Sequence, residues 1–284
     1  MTLDGLTLRD ATEADLPVLA GMRRDVGWDA PDWALRAAIE SPSGRFVVVV
    51  DGEDLVASGS GMVYGALGCV GNMIVTDGYR RRGIGSWVLA EIVDHLRGAG
   101  CRRIELYATP DGRHLYRRHG FESVGTSAFA QVPRGLIATA GASTIGPASG
   151  EALDALAAYD TPRFGGDRRQ LLVRMLSDTA RPVRIARRAG RIVGWSWLRI
   201  DGGRVGPLVA DEPAVAADLL ADAAAAMPDA SALRLHLPPA NRAGAEWLRS
   251  LGAPLESWDG RMALGDPIAR RDDAIYASTT GALG

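Results

Sequence analysis

The stretch from Asn72 to Ser86 restricts the possible fold more than any other part of the chain. Met73-Ile74-Val75 is an apolar, strand-like run, and Asp77-Gly78 is a turn. Arg80-Arg81-Arg82-Gly83-Ile84-Gly85 then opens through Ser86 into a helical pattern, Trp87–Leu96. Glycines at such a junction let backbone N–H groups converge on one point. The helix end adds partial positive charge, and the arginines add full charges. A strand, loop and helix start of this kind holds a phosphate or pyrophosphate.

Spacing excludes two common versions of that device. A Walker loop requires lysine, and all 32 basic residues of this chain are arginine. That bias, with the richness in Ala and Gly, weakens the meaning of a single Arg but not of an Arg run set against Gly-x-Gly. A dinucleotide fingerprint requires G-x-G-x-x-G after the first strand. Here Gly83-x-Gly85 is followed by Val88, and four strands precede it.

Those strands follow from local patterns. Leu6–Arg9 alternates as a short strand, and Thr12-Glu-Ala-Asp15 resembles a capping box for a helix over Ala14–Arg24. Gly27-Trp28-Asp29 breaks that helix, and Pro31 suits the first position of the next, Asp32–Glu40. Phe46–Val50, the turn Asp51-Gly52 and Leu55–Tyr64 read as a hairpin, with Cys69–Val75 as a further strand. After the loop and its helix come a strand at Arg103–Ala108, a short helix at Arg113–His119 and a closing strand region, Phe121–Val132. The order β-α-α-β-β-β-α-β-α-β is not the βαβ alternation of a doubly wound nucleotide fold.

Two motifs in this order resemble the GNAT superfamily of acyl-CoA-dependent N-acyltransferases over about residues 3–132. Arg80–Gly85 matches its [Q/R]-x-x-G-x-[G/A] signature after the fourth strand, and Leu115-Tyr116-Arg-Arg-His-Gly120-Phe121 matches its L-Y-x-x-x-G-F signature after the fifth. The resemblance implies an α/β (α+β) fold with a mixed, mostly antiparallel central sheet flanked by helices. It implies acetyl-CoA, or another short acyl-CoA, as co-substrate, with the pyrophosphate on Arg80, Arg81, Arg82, Gly83, Ile84, Gly85 and Ser86. It also implies that pantetheine pairs with the edge of Met73, Ile74 and Val75 where the fourth and fifth strands splay. A backbone N–H of that strand would polarise the thioester carbonyl. Tyr116 takes the place of the tyrosine that protonates the departing thiolate, and Thr109 stands where the family often has Asn.

No general base stands out. Glu105 lies on the fifth strand, where alternation can turn it to solvent; His114 and His119 flank the short helix. Asp25 and Trp28 fall in the connection that lines the acceptor pocket in the family.

The second half repeats the first. Small residues over Ala138–Gly150 mark a linker, so the domains are expected at 1–135 and 136–284. Helices are expected at Glu151–Tyr159 and Arg168–Leu176, with a polar turn over Asp160–Asp167 between them. Strands at Val183–Arg188, Arg191–Ile200 and Val205–Val209 are followed by a helix (Val215–Met227), a strand (Ala232–Leu237), a helix (Ala240–Leu251) and a last strand near Met262. The phosphate loop is replaced by Ala210-Asp-Glu-Pro-Ala-Val, and Leu248 stands where Tyr116 would be. This resembles a two-domain GNAT subgroup in which an active N-terminal domain precedes a degenerate copy. By that resemblance the copy walls the acceptor cleft, with Asp160, Arg163, Phe164 and Asp167 as acceptor contacts; a capped interdomain turn with Asp167 as N-cap is the other reading of the same residues.

Composition bounds the rest. A net charge of −2 gives no bulk attraction to nucleic acid or membrane. No signal sequence and no apolar stretch near the roughly 18 residues of a membrane span are present, so a cytoplasmic protein is expected. Cys69 and Cys101 have no metal-ligand spacing, and no metal is expected. They read as buried small apolar side chains, which argues against an acyl-enzyme. The expected activity is N-acetyl transfer from CoA to a small-molecule primary amine, by direct attack in a ternary complex, in a monomer or homodimer. A protein-lysine acetyltransferase and a non-catalytic acyl-CoA sensor are the alternatives.

Overall fold

The computed structural model describes residues 5–28, 32–239, 241–258 and 260–284. Pro31, expected to open the second helix, lies outside the described residues. The first half forms β1 (Leu6–Asp10), α1 (Leu16–Asp25), α2 (Asp32–Ile39), β2 (Arg45–Asp51), β3 (Asp54–Tyr64), β4 (Leu67–Val75), α3 (Ile84–Gly98), β5 (Arg103–Tyr107), α4 (Arg113–Arg118), β6 (Glu122–Ser123) and β7 (Ser127–Pro133). The second forms β8 (Thr144–Pro147), α5 (Leu153–Phe164), α6 (Arg169–Ser177), β9 (Val183–Arg188), β10 (Arg191–Arg199), β11 (Arg204–Ala210), α7 (Pro213–Ala226), β12 (Ala232–Leu237), α8 (Arg242–Ser250), β13 (Leu255–Trp258), β14 (Arg261–Gly265) and β15 (Ile275–Ala277).

The strands make two sheets, β1-β2-β3-β4-β5-β14-β6 and β8-β9-β10-β11-β12-β7-β13, with β15 added to β11. Position by position the sheets correspond, as an internal duplication requires. Each has one central parallel pair, β4–β5 and β11–β12, among antiparallel neighbours. These are mixed, mostly antiparallel sheets flanked by helices.

The sixth position is where the halves trade. β7, expected to close the first sheet, lies in the second between β12 and β13. β14, expected to close the second, lies in the first between β5 and β6. One compact unit accordingly comprises Met1–Ser123, Met262–Ile268 and Gly281–Gly284, and the other Val124–Arg261 and Ala269–Thr280. A single cut at 135/136 does not separate them.

Local chemistry explains the frame of the first unit. Asp15 Oδ2 accepts from the Thr12 backbone N–H at 2.8 Å and the Thr12 hydroxyl at 3.1 Å, the expected capping box. Both Asp15 oxygens also accept from Arg9, each at 2.8 Å, which ties β1 to α1 and lowers the carboxyl pKa to about 2. Val88, Leu89, Ile92 and Leu96 of α3 are wholly buried in one core with Val47, Val49, Val70, Ile104 and Leu106. At about 1.5–3 kcal/mol for each large apolar side chain, these contacts far outweigh helix propensity. They fix the start of α3 against β4. The second unit has its own core, built on Leu219, Leu220 and Ala223 of α7 and on Leu233, Leu235 and Leu237 of β12.

Candidate active site

β4 carries the first part of the site. Its parallel pairing with β5 runs only from Leu67↔Arg103 to Val70↔Leu106, so the strands part company beyond Val70. Pairing with β3 continues through Ile74↔Ser58 and Val75↔Ala57, with a register shift between Ser58 and Ser60. The shift coincides with Asn72, whose φ of 54° lies in a region that Asn tolerates better than most residues. Asn72 is buried and fully engaged. Its carbonyl accepts from Ser58 Oγ at 2.8 Å, its Nδ2 donates to Ser60 Oγ at 2.8 Å, and its Oδ1 accepts from Arg23. Beyond this bulge, the edge of Met73, Ile74 and Val75 turned toward β5 has no strand partner among the described residues. The splay expected from the family resemblance is present.

The loop after β4 is pinned at several points. Tyr79 Oη donates to Asp51 Oδ2 at 2.8 Å. Arg80 donates to the Val75 carbonyl at 3.0 Å and pairs with Asp77 at 3.0 Å, so it braces the loop. Arg81, at φ 62°, and Arg82, 4.9 Å above the Tyr79 ring, are exposed. Gly83 is the N-cap of α3 at φ 86°, ψ −5°, a conformation that glycine adopts without strain. The first N–H groups of α3, from Ile84, Gly85 and Ser86, have no carbonyl within the helix to meet. Arginine side chains, free N–H groups and the helix dipole thus converge where an anion is best held.

α4 is attached to the same helix turn. A side chain at Gly85 would meet Leu115 Cδ2 at 3.3 Å, and Ser86 Oγ lies 2.5 Å from His119 Nε2. Leu115 and His119 bracket Tyr116, which is 6% exposed and packs edge-on to Phe121 at 6.0 Å. Burial raises the Tyr116 pKa well above its ordinary value, so the phenol stays protonated. Thr109 braces the turn before α4, its Oγ1 accepting from Gly112 N–H at 3.2 Å and its carbonyl from Arg113 N–H at 3.1 Å. His119 is held neutral by burial and by Arg118.

Other candidates are placed differently from expectation. Glu105 is 6% exposed and accepts from Arg103 Nε at 3.1 Å, so alternation does not turn it to solvent. Ile104 and Leu106 face α3, which leaves Glu105 and Tyr107 on the opposite side of the sheet. On that side the α1 end brings Arg23 to Asn72, with Trp28 half-buried and its ring 5.6 Å from the Arg23 guanidinium. Asp25 ends α1, exposed. Asp29 lies outside the described residues.

The polar turn expected to carry Asp160, Arg163 and Phe164 requires correction. They lie within α5, which continues through Pro162 where a turn was expected and stops at Gly165. Asp160 is fully buried. It accepts from Arg168 at 2.7 and 2.8 Å and from Trp195 Nε1 at 3.0 Å. Phe164, also buried, lies 4.1 Å beneath the same guanidinium. Arg163 is spent on Asp211 and on the Tyr159 ring, 3.5 Å away. These side chains build the interior of the second unit.

The second unit lacks the donor features of the first. β11 corresponds to β4, yet its edge is taken by β15, through Leu208↔Ala277 and Val209↔Ile275. Ser278 N–H completes the closure by donating to the His236 carbonyl of β12 at 2.8 Å. Glu212 is the N-cap of α7, with Asp211 before it, where the first unit has Gly83 and its arginines. Sequence reading found the acidic replacement but not β15, since three residues in a tail carry no periodic signal.

Family comparison finds one match in each half of the chain. Residues 14–121 match the acetyltransferase (GNAT) family, and residues 156–277 match an acetyltransferase (GNAT) domain. The chain belongs to the GNAT acetyltransferase superfamily, with two such domains in tandem. As a GNAT protein it is an acyltransferase that takes its acyl group from CoA. No curated protein matches it. A provisionally assigned acetyltransferase from Pyrococcus horikoshii is similar over 100% of this chain and 98% of its own, with TM-score 0.83 and 22% identity. GCN5-related N-acetyltransferases from Kribbella flavida (TM-score 0.61, 19% identity, 91% of this chain and 70% of that one) and Sphaerobacter thermophilus (0.63, 15%, 95% and 100%) share the fold. Among the described residues no helix is long and apolar enough to cross a membrane, and no three potential ligands cluster for a metal.

Proposed function

We propose that the first unit transfers an acetyl or short acyl group from CoA to the primary amine of a small molecule, by direct attack in a ternary complex. The observation that carries this reading is the meeting of three features on one helix turn. They are the Gly83-capped start of α3, the unpartnered edge of β4 beyond its bulge, and α4 with the buried phenol of Tyr116. In this reading the pyrophosphate lies on the N–H groups of residues 84–86 with Arg81 and Arg82 beside it. Pantetheine runs along Met73–Val75.

The amine nitrogen attacks the thioester carbon and forms the C–N bond. The C–S bond breaks with its electron pair on sulfur, and the thiolate takes the phenolic proton of Tyr116, whose raised pKa keeps that proton available. A backbone N–H of β4 stabilises the developing oxyanion. The proton released by nitrogen goes to water, and water returns a proton to the Tyr116 phenolate. Both cysteines are buried, and burial raises the Cys101 pKa, which disfavours a thiolate nucleophile.

The second unit binds no donor in this account, because β15 occupies the edge that pantetheine would need. The test is thiol release from acetyl-CoA across a panel of primary amines. Release that depends on the amine supports the reading; tight CoA binding with no amine-dependent release refutes it.

A further inference from the structure

We propose that the segment Gly281–Leu283 forms the floor of the acceptor side of the first unit and limits the enzyme to short amines. The inference rests on the acyl-transfer reading above and adds the acceptor's length to it. In that reading the acceptor approaches on the sheet face opposite α3. That face is marked by Arg23 of α1 on Asn72 and by Tyr107 of β5.

Immediately below the Asn72 bulge this face is covered by chain. Gly281 lies against the Tyr107 ring, so that a side chain on it would stand 3.7 Å from Tyr107 Cβ. Ala282 sits directly on Gly71, where any side chain would come within 2.5 Å of Ala282 Cα and 3.1 Å of its carbonyl oxygen. Leu283 is fully buried, and its carbonyl accepts from Tyr64 Oη at 2.8 Å. The segment thus descends the β4 face from Tyr107, past Gly71, to Tyr64 at the far end of β3. β4 and β5 begin to separate just above Val70, so the segment fills the root of their cleft. An amine reaching the thioester from this side has no channel along the strands for a long substituent. The site fits a primary amine on a short carbon chain, and Gly71 is the residue that lets the floor come so close.

The test uses CoA whose sulfur carries –CH2–CO–NH–alkyl groups from methyl to decyl, with binding measured by calorimetry. In the wild-type protein, affinity should rise by up to about fourfold per methylene and then fall once the chain meets the segment. Tyr64→Phe, which removes the bond holding Leu283, and deletion of residues 281–284 should each move that fall to longer chains. The gain for the longest conjugates should be about tenfold or more, with the affinity for CoA alone unchanged. Identical length profiles in the wild type and both variants would overturn the floor while leaving the donor site standing. Failure of CoA itself to bind the wild-type protein would instead remove the donor-site reading, and the floor with it.

Discussion

Leu208 of β11 is paired with Ala277 of β15, whereas Ile74, beyond the bulge of the corresponding strand β4, has Ser58 on one side and, among the described residues, no strand on the other. A strand edge closed in one copy and open in the other distinguishes a unit that can add an extended ligand from one that has already added its own chain. The same asymmetry recurs at the helix starts, where one copy has Gly83 at φ 86° and the other has Glu212.

Tyr116 is expected to act after binding. Replacing it with Phe keeps the edge-on contact with Phe121 and removes only the hydroxyl. We expect kcat to fall by about 10–100-fold, at or below the general-acid range, with CoA affinity unchanged. Because burial raises the pKa, loss of the proton from Tyr116 should produce no basic limb in the kcat profile up to pH 10, the ordinary tyrosine value. A limb that vanishes in the Phe variant would contradict this.

The exchange of β7 and β14 makes the halves depend on each other for folding. Residues 1–135 alone lack the strand between β5 and β6 and carry β7 without its sheet. Expressed alone, that half should show no cooperative unfolding by circular dichroism. Adding residues 136–284 should restore a melt. A sharp melt of the first half by itself would show that β7 can fold back into its own sheet.

Asp160 should matter for stability and not for acceptor recognition. Its removal leaves Arg168, 2% exposed, as an unpaired buried cation. Asp160→Ala is expected to cost about 3–5 kcal/mol in chemical denaturation. The folded fraction should keep the acceptor KM of the wild type; a raised KM would return Asp160 to the acceptor site.

Acid should destabilise the two units over different ranges of pH. Burial, and then Arg261, Arg204 and Arg199, hold His236 at about 3, below its ordinary 6.5. The unfolded chain therefore takes up a proton that the folded protein refuses. This contribution is complete above pH 6.5 and is lost as pH falls toward 3. Asp15 of the first unit, lowered from 3.8 to about 2 by Arg9, begins to lose its contribution only below 3.8. Thermal melts should decline from pH 6.5 downward, and His236→Phe should flatten the portion between 6.5 and 3.8. An unchanged slope in that variant would assign the decline to other groups.

What the sequence disclosed and what it hid follow from the range of the interactions. The loop at Arg80–Ser86 and the Leu115–Phe121 helix are local: glycine spacing and a helix start set them, and both lie where expected. The duplication was legible for the same reason, element by element. The strand exchange was not, because nothing local to β7 or β14 says which sheet it joins. Only the connection after Ser123 and the pairing of Met262 with Ser123 decide the matter. Pro162 misled in another way. It suggested a turn, yet the ion pair of Asp160 with Arg168 and the Trp195 contact hold the helix to Phe164 despite the missing donor. Glu105 alternates as expected, but both faces of β5 are covered, so alternation said nothing about exposure.

The account turns on one donor site, located in the first unit, and calorimetric titration with CoA reads it directly. The expected result is one CoA per chain for the wild type. Gly83→Asp forces a non-glycine residue to φ 86° and puts a negative charge at the helix start, and should weaken binding by about 10–100-fold. Two CoA per chain, or undiminished affinity in Gly83→Asp, would contradict it.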